Sequence, residues 1–170
     1  DGQHLSKAEL HDSKDADSWA LAQFNLGTLR HPRGSPELAS YEDAMDTLFP
    51  VALAWPGFIW IVGDDEIVTR TADWYGSRVA ANLSVWADLE SLRAFMNCEQ
   101  HLAVMERGGD WFVAQDQPTY VFWWIAASHR PTFDEARMRL DALREVGPTE
   151  QSFTLATHFP PPKSRDRPVE

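Results

Sequence analysis

Few residues in this chain combine type and spacing in a way that could do chemistry. Asn25 sits inside the otherwise apolar run LAQFNLGTL, beside a second amide, Gln23. Burying either amide unpaired would cost a few kcal/mol. Asn82 and Trp86 stand four apart in a second apolar run, and His101 follows in a helical stretch. An imidazole titrates near neutral pH and can act as general acid or base. Asparagine amides can hold an oxyanion or enolate in place. His101, Asn25 and Trp86 are therefore the candidate catalytic set, with Asn82, Trp60, Phe95, Met105, Trp124 and His129 as candidate substrate contacts. The plainer roles are core for the tryptophans and a helix cap for His129.

Other chemistries find little support. The histidines show no HxH or HxxxH spacing and there is one cysteine, Cys98, so neither a zinc site nor an internal disulfide is expected. Cys98 lies three residues before His101, which could lower its pKa, although a half-buried cysteine at a helix break is the commoner meaning. No Gly-rich phosphate loop is present. The net charge is −11 with no long basic run, which disfavours phosphate-backbone and acidic-membrane partners. No apolar run approaches the roughly 20 residues that span a bilayer. The chain begins at Asp1 with a polar stretch and no signal-peptide pattern, so a trimmed start and a cytoplasmic protein are expected.

These side chains need elements to position them. At 170 residues, with 44% hydrophobic content, the chain suits one domain with a sizeable core. A polar tail over 1–18, with a short surface helix near Ser6 to His11, precedes a domain over 19–160 and a C-terminal tail over 161–170. The first strand runs from Trp19 to Leu29, with Leu21, Gln23, Asn25 and Gly27 on one face and Ala22, Phe24, Leu26 and Thr28 on the other. Ser35-Pro36-Glu37 starts a helix that Pro50 should kink or end. Phe58 to Val62 is a short buried strand, and polar Gly63 to Ser77 suggests a covering loop.

Val79 to Trp86 gives the third strand, and Asp88 caps a helix with Leu89, Leu92, Phe95 and Met96 on one face. Asn97-Cys98 should break that helix and turn His101 back toward the sheet. Gly108-Gly109 ends the second piece, and a loop follows from Asp110. Tyr120 to Ala126 is the fourth strand, apolar on both faces and so expected at the sheet centre or an interface. A helix from Pro131 to Gly147-Pro148 follows, and Ser152 to Leu155 could add a fifth strand. The doubled β-α-β pattern predicts an α+β, ferredoxin-like split βαβ with a four- to five-stranded antiparallel sheet. Helices on one face leave the other bare, and a homodimer is expected to cover it.

The segments QFNLGTLRHP, NLSVWADLESLRAFM, Asp110-Trp111-Phe112 and FWWIAASHRPTFDEARMRLDALREVGPT, with His101, resemble a bacterial and fungal family of unknown function. That family belongs to the dimeric α/β-barrel superfamily, in which antibiotic-biosynthesis monooxygenases are relatives. The resemblance implies a dimeric barrel and a small-molecule substrate in a pocket between sheet and helices. It implies cofactor-independent oxygenation, cyclisation or isomerisation, with a non-catalytic binding or stress-related module as the alternative. The haem-degrading branch is disfavoured, because its catalytic Trp position matches Phe95 and its haem-ligating His position matches Met105. No cofactor is expected.

Overall fold

The computed structural model describes residues 18–163; the expected N-terminal surface helix lies outside them. Four strands, β1 (Trp19–Thr28), β2 (Phe58–Ile61), β3 (Val79–Trp86) and β4 (Tyr120–Ala126), form one sheet in the order β2-β3-β1-β4. All neighbouring pairs are antiparallel. This is the ferredoxin-like order, and the chain is an α+β protein. The helices are α1 (Ala39–Leu53), α2 (Asp64–Tyr75), α3 (Leu89–Met96), α4 (Glu99–Glu106), the single turn α5 (Gly108–Trp111) and α6 (Phe133–Val146).

Alternation along β1 divides its side chains as expected. Ala20, Ala22, Phe24 and Leu26 join Leu83, Val85, Val121, Trp123 and Ile125 in one buried apolar layer. That layer is not bare, which corrects the premise for a dimeric barrel. Ile67 of α2 and Phe133, Ala136, Leu140 and Leu143 of α6 are buried against it. α2 occupies the stretch expected to be a loop. Ile67, Thr71, Trp74 and Tyr75 recur at helical spacing and face inward, while the intervening charges point out. Buried Thr71 donates its hydroxyl to the Ile67 carbonyl at 2.6 Å, so it costs little there. Trp74 meets Phe133 at 6.4 Å and carries the Arg137 guanidinium 4.9 Å above its ring, joining the two helices.

The opposite face carries Leu21, Gln23, Asn25 and Gly27. Register sets Leu21 against Trp86 and Trp124, Gln23 against Ser84 and Phe122, and Asn25 against Asn82 and Tyr120. Part of α1, α3 and the segment around Phe153 and Phe159 cover one end of this face. β4 is an edge strand, so of the two expected places the sheet centre is ruled out. Its free edge is closed by Phe153, which exchanges two backbone hydrogen bonds with Phe122 at 2.8 and 2.9 Å. That single bridge stands where a fifth strand was expected.

Local signals behave well around α3. The Asp88 carboxylate accepts from the Ser91 amide at 2.7 Å and caps the helix. Asn97 ends it, and Cys98, with extended backbone, starts α4. The helix α1 runs through Pro50 to Leu53 instead of stopping. α4 ends at Glu106, just before Gly108-Gly109, but the loop expected from Asp110 is preceded by the turn α5, whose buried Trp111 donates its indole N–H to Ser40 Oγ at 3.0 Å.

Candidate functional site

A chain of side-chain hydrogen bonds crosses β1 and β3 on the less covered face. Trp86 Nε1 donates to Ser84 Oγ at 3.1 Å. Gln23 Nε2 donates to the same oxygen at 3.0 Å and to Asn82 Oδ1 at 2.7 Å. Asn25 Nδ2 donates to Gln23 Oε1 at 2.8 Å. Burial falls along this chain. Trp86 and Ser84 are each 3% exposed and Gln23 6%, while Asn82 is half-buried and Asn25 is exposed. Strand pairing produces the arrangement directly, because side chains two apart share a face and opposed residues meet across the ladder.

Asn25 is exposed in the middle of a central strand because the layer above it has a gap. One apolar cluster holds Leu21, Trp86, Phe95, Phe122 and Phe153, and a separate one holds Leu29, Leu38 and Ala80 with Tyr41 and Phe112. The row Asn82–Asn25–Tyr120 runs between them. The Phe112 ring packs against Gly27, two residues along β1 from Asn25. A Cβ there would sit 2.6 Å from its ring, so only glycine admits it. Tyr120 packs on Phe122 at 5.2 Å, and its hydroxyl accepts from the Leu155 amide at 3.3 Å. The result is an exposed strip of neutral amides flanked by aromatic clusters.

His101 approaches from α4. Its ring meets Phe95 edge-on at 5.1 Å, and Phe95 stacks on Trp86 at 5.2 Å. The ring therefore points inward, on the core side of α4, and reaches the amide row through two aromatic rings, with no hydrogen bond to it. Its Nδ1 is buried without a hydrogen-bond partner. Burial pushes its pKa below the ordinary histidine value, opposed by the nearby Met96 carbonyl, whose geometry falls short of a hydrogen bond.

The structure thus brings Asn25, Asn82, Trp86, Phe95 and His101 into one contiguous region. Four other candidates lie apart. A β-bulge between Phe58 and Trp60 turns Trp60 onto the apolar layer beneath α2 and α6. Met105 is 63% exposed on α4 and walls nothing. Trp124 shares the amide face but lies under the C-terminal segment, donating to the Phe159 carbonyl at 2.8 Å. His129 sits near the start of α6, where its Nε2 meets Glu135 Oε2 at 2.7 Å. Glu135 Oε1 accepts from buried Trp123 at 2.8 Å, which makes this trio a helix anchor.

Ser84 was not anticipated, although it stands two residues from Asn82 and from Trp86, the spacing that puts all three on one strand face. Gln23 was legible as a costly amide but not as the hub. A shallow depression of about 320 Å³, lined by Trp55, Pro56, Asp88 and Ser91, shares no residue with the amide row. Among the described residues no three His, Cys, Asp or Glu side chains are placed to hold a metal, and no helix is long and apolar enough to cross a membrane.

Sheet order and the helices on both faces define a ferredoxin-like α+β protein. The chain belongs to the family described as "Domain of unknown function (DUF3291)", whose family model matches residues 20–169. No curated protein matches it. Among solved structures it is similar to a protein of unknown function from Nitrosomonas europaea, at 17% identity and TM-score 0.46, covering 68% of this chain and 98% of that one. It is also similar to a cofactor-independent oxygenase from Streptomyces nogalater, at 13% identity and TM-score 0.41, covering 67% and 96%. A third bears the description "Putative antibiotic biosynthesis monooxygenase", from the same Nitrosomonas species, at 8% identity and TM-score 0.44, covering 66% and 94%.

Proposed function

We propose that this chain is a small-molecule-transforming enzyme acting on an apolar, polycyclic or aromatic substrate laid across the amide row. The reaction class is cofactor-independent oxygenation, or cyclisation or isomerisation, of a substrate that passes through an enolate or phenolate. One observation carries this: a carboxamide stands exposed in the middle of a central strand, backed by a buried hydrogen-bonded relay. Packing alone would fill that position with a β-branched or aromatic residue. Neutral amide donors held rigidly in place stabilise charge that develops on a substrate oxygen. His101 stands behind Phe95 and Trp86, and burial lowers its pKa, so it backs the site as a neutral ring without contacting the row.

Oxygen uptake and product formation with a panel of polycyclic phenols test the proposal. Asn82→Ala, which removes the NH₂ that the relay leaves facing the substrate, should lower turnover about 10²-fold. Saturable binding without turnover of any panel member would favour a non-catalytic ligand-binding module instead. That second reading draws on one feature, since no titratable side chain hydrogen-bonds into the amide row.

A further inference from the structure

We infer that the amide row recognises a hydrogen-bond donor and an acceptor side by side, and that Gln23 enforces this pairing. The inference rests on the functional reading above and specifies its ligand. Gln23 has one carbonyl oxygen and one NH₂ group, and spends them on different neighbours: the NH₂ on Asn82 and Ser84, the oxygen on Asn25. Asn82 therefore turns its oxygen inward and leaves its NH₂ outward. Asn25 turns its NH₂ inward and leaves its oxygen outward.

A half-turn of all three amides reverses both ends together. Ser84 accommodates either setting, because its hydroxyl can accept from Gln23 or donate to it while still accepting from Trp86. One asparagine thus always presents a donor when the other presents an acceptor. The two are directly opposed across β1 and β3, where Cβ atoms are about 5 Å apart, so one edge of a small ring can span both.

No charged side chain joins the cluster among its hydrogen bonds, and the chain carries a net charge of −11, which disfavours anions. The matching ligand is a neutral flat ring system with N–H or O–H beside C=O: a lactam, an imide or a hydroxy-enone. Gln23 touches no ligand in this scheme. It is a positioning residue, 6% exposed, acting through the two asparagines.

Titration of the full chain with 2-quinolone, N-methyl-2-quinolone and indole, followed by NMR, separates the possibilities. The first offers donor and acceptor, the second acceptor only, the third donor only. Wild type should bind 2-quinolone about tenfold or more tighter than its N-methyl form. Gln23→Met, which fills the same volume without polarity, should bring the two within about threefold, because each asparagine can then turn freely. Asn82→Asp, at a half-buried position that tolerates change, exposes only acceptors and should weaken 2-quinolone while sparing indole. Equal wild-type affinity for both quinolones, with binding mapped to the amide row, would overturn the inference and leave the functional reading standing. No saturable binding of any probe would overturn both.

Discussion

Truncating the relay one residue at a time should give a graded loss of stability that follows burial. Ser84→Ala removes the acceptor of two donors, Trp86 Nε1 and Gln23 Nε2. Gln23 retains Asn82, but the indole N–H, on a residue 3% exposed, is left without a partner. An unpaired buried donor costs about 1 to 3 kcal/mol. For a domain of this size each kcal/mol lowers Tm by about 2 to 4 °C, so the melt should fall by about 2 to 12 °C. Asn82→Ala leaves Gln23 bonded to Ser84 and should cost about 1 kcal/mol. Asn25→Ala removes an exposed side chain and lets water reach Gln23 Oε1, so the cost should stay below about 1 kcal/mol. Urea unfolding followed by tryptophan fluorescence, with unchanged m-values, measures all three. If Asn25→Ala cost as much as Ser84→Ala, the whole row would be structural, and the separation of a buried stem from a functional tip would fail.

Four further outcomes follow from particular contacts. Because burial lowers the His101 pKa, the unfolded chain binds its proton first, so stability present above about pH 6.5 is lost as pH falls through the folded value. NMR titration should place the midpoint below 6.5, and His101→Gln should flatten the stability slope between pH 6.5 and 5. Glu135→Ala should cost about 1 to 3 kcal/mol in urea melts by orphaning the Trp123 N–H. Burial tends to raise the Glu135 pKa, but the hydrogen bonds from His129 and Trp123 outweigh it and lower it overall. Its contribution is therefore present above the unfolded carboxylate range and lost as acid titrates it through the lower folded value. Gly27→Ala should push Phe112 off the sheet and cost about 1 to 3 kcal/mol, with a crystal structure showing the displaced ring. Replacing α2 by a flexible linker should uncover the apolar face and produce concentration-dependent association in light scattering beyond that of the wild-type chain, whereas unchanged association would contradict the role assigned to that helix.

Legibility in the sequence divided along a physical line. Features that depend on one segment were readable. Alternation put Gln23 and Asn25 on one face, Asp88 announced the α3 cap, and Asn97-Cys98 marked the break that turns His101 toward Phe95. Features that depend on pairing two segments were not. Trp60 and Phe58 looked alike until the bulge sent Trp60 to the other layer. Side-chain facing has period two, so one extra residue reverses it. Ser84 drew no notice until register placed it beside Gln23, and His129 read as a substrate contact or helix cap until Glu135 proved to be its partner. α2 was hidden by its charges, because its inward residues are an unusual mixture of Ile, Thr, Trp and Tyr.

That helix changes what the fourth strand means. A strand apolar on both faces needs two partners, and the sequence offered one visible layer of helices, so a second copy of the chain was the natural cover. α2, inserted between β2 and β3, lies with α6 over that layer instead. The face on which a homodimer was expected is thereby filled within one chain. Both faces of β4 are then accounted for by packing within one chain. So are Phe24, Trp123, Glu135 and His129, each of which has a buried layer or a bonded partner. Asn25 is different: the fold gains nothing from a carboxamide exposed on a central strand, and a relay of three buried groups is spent on holding its orientation. Residues that break a local rule without helping the fold are where function is to be sought, and here that points to the amide row ahead of the histidines.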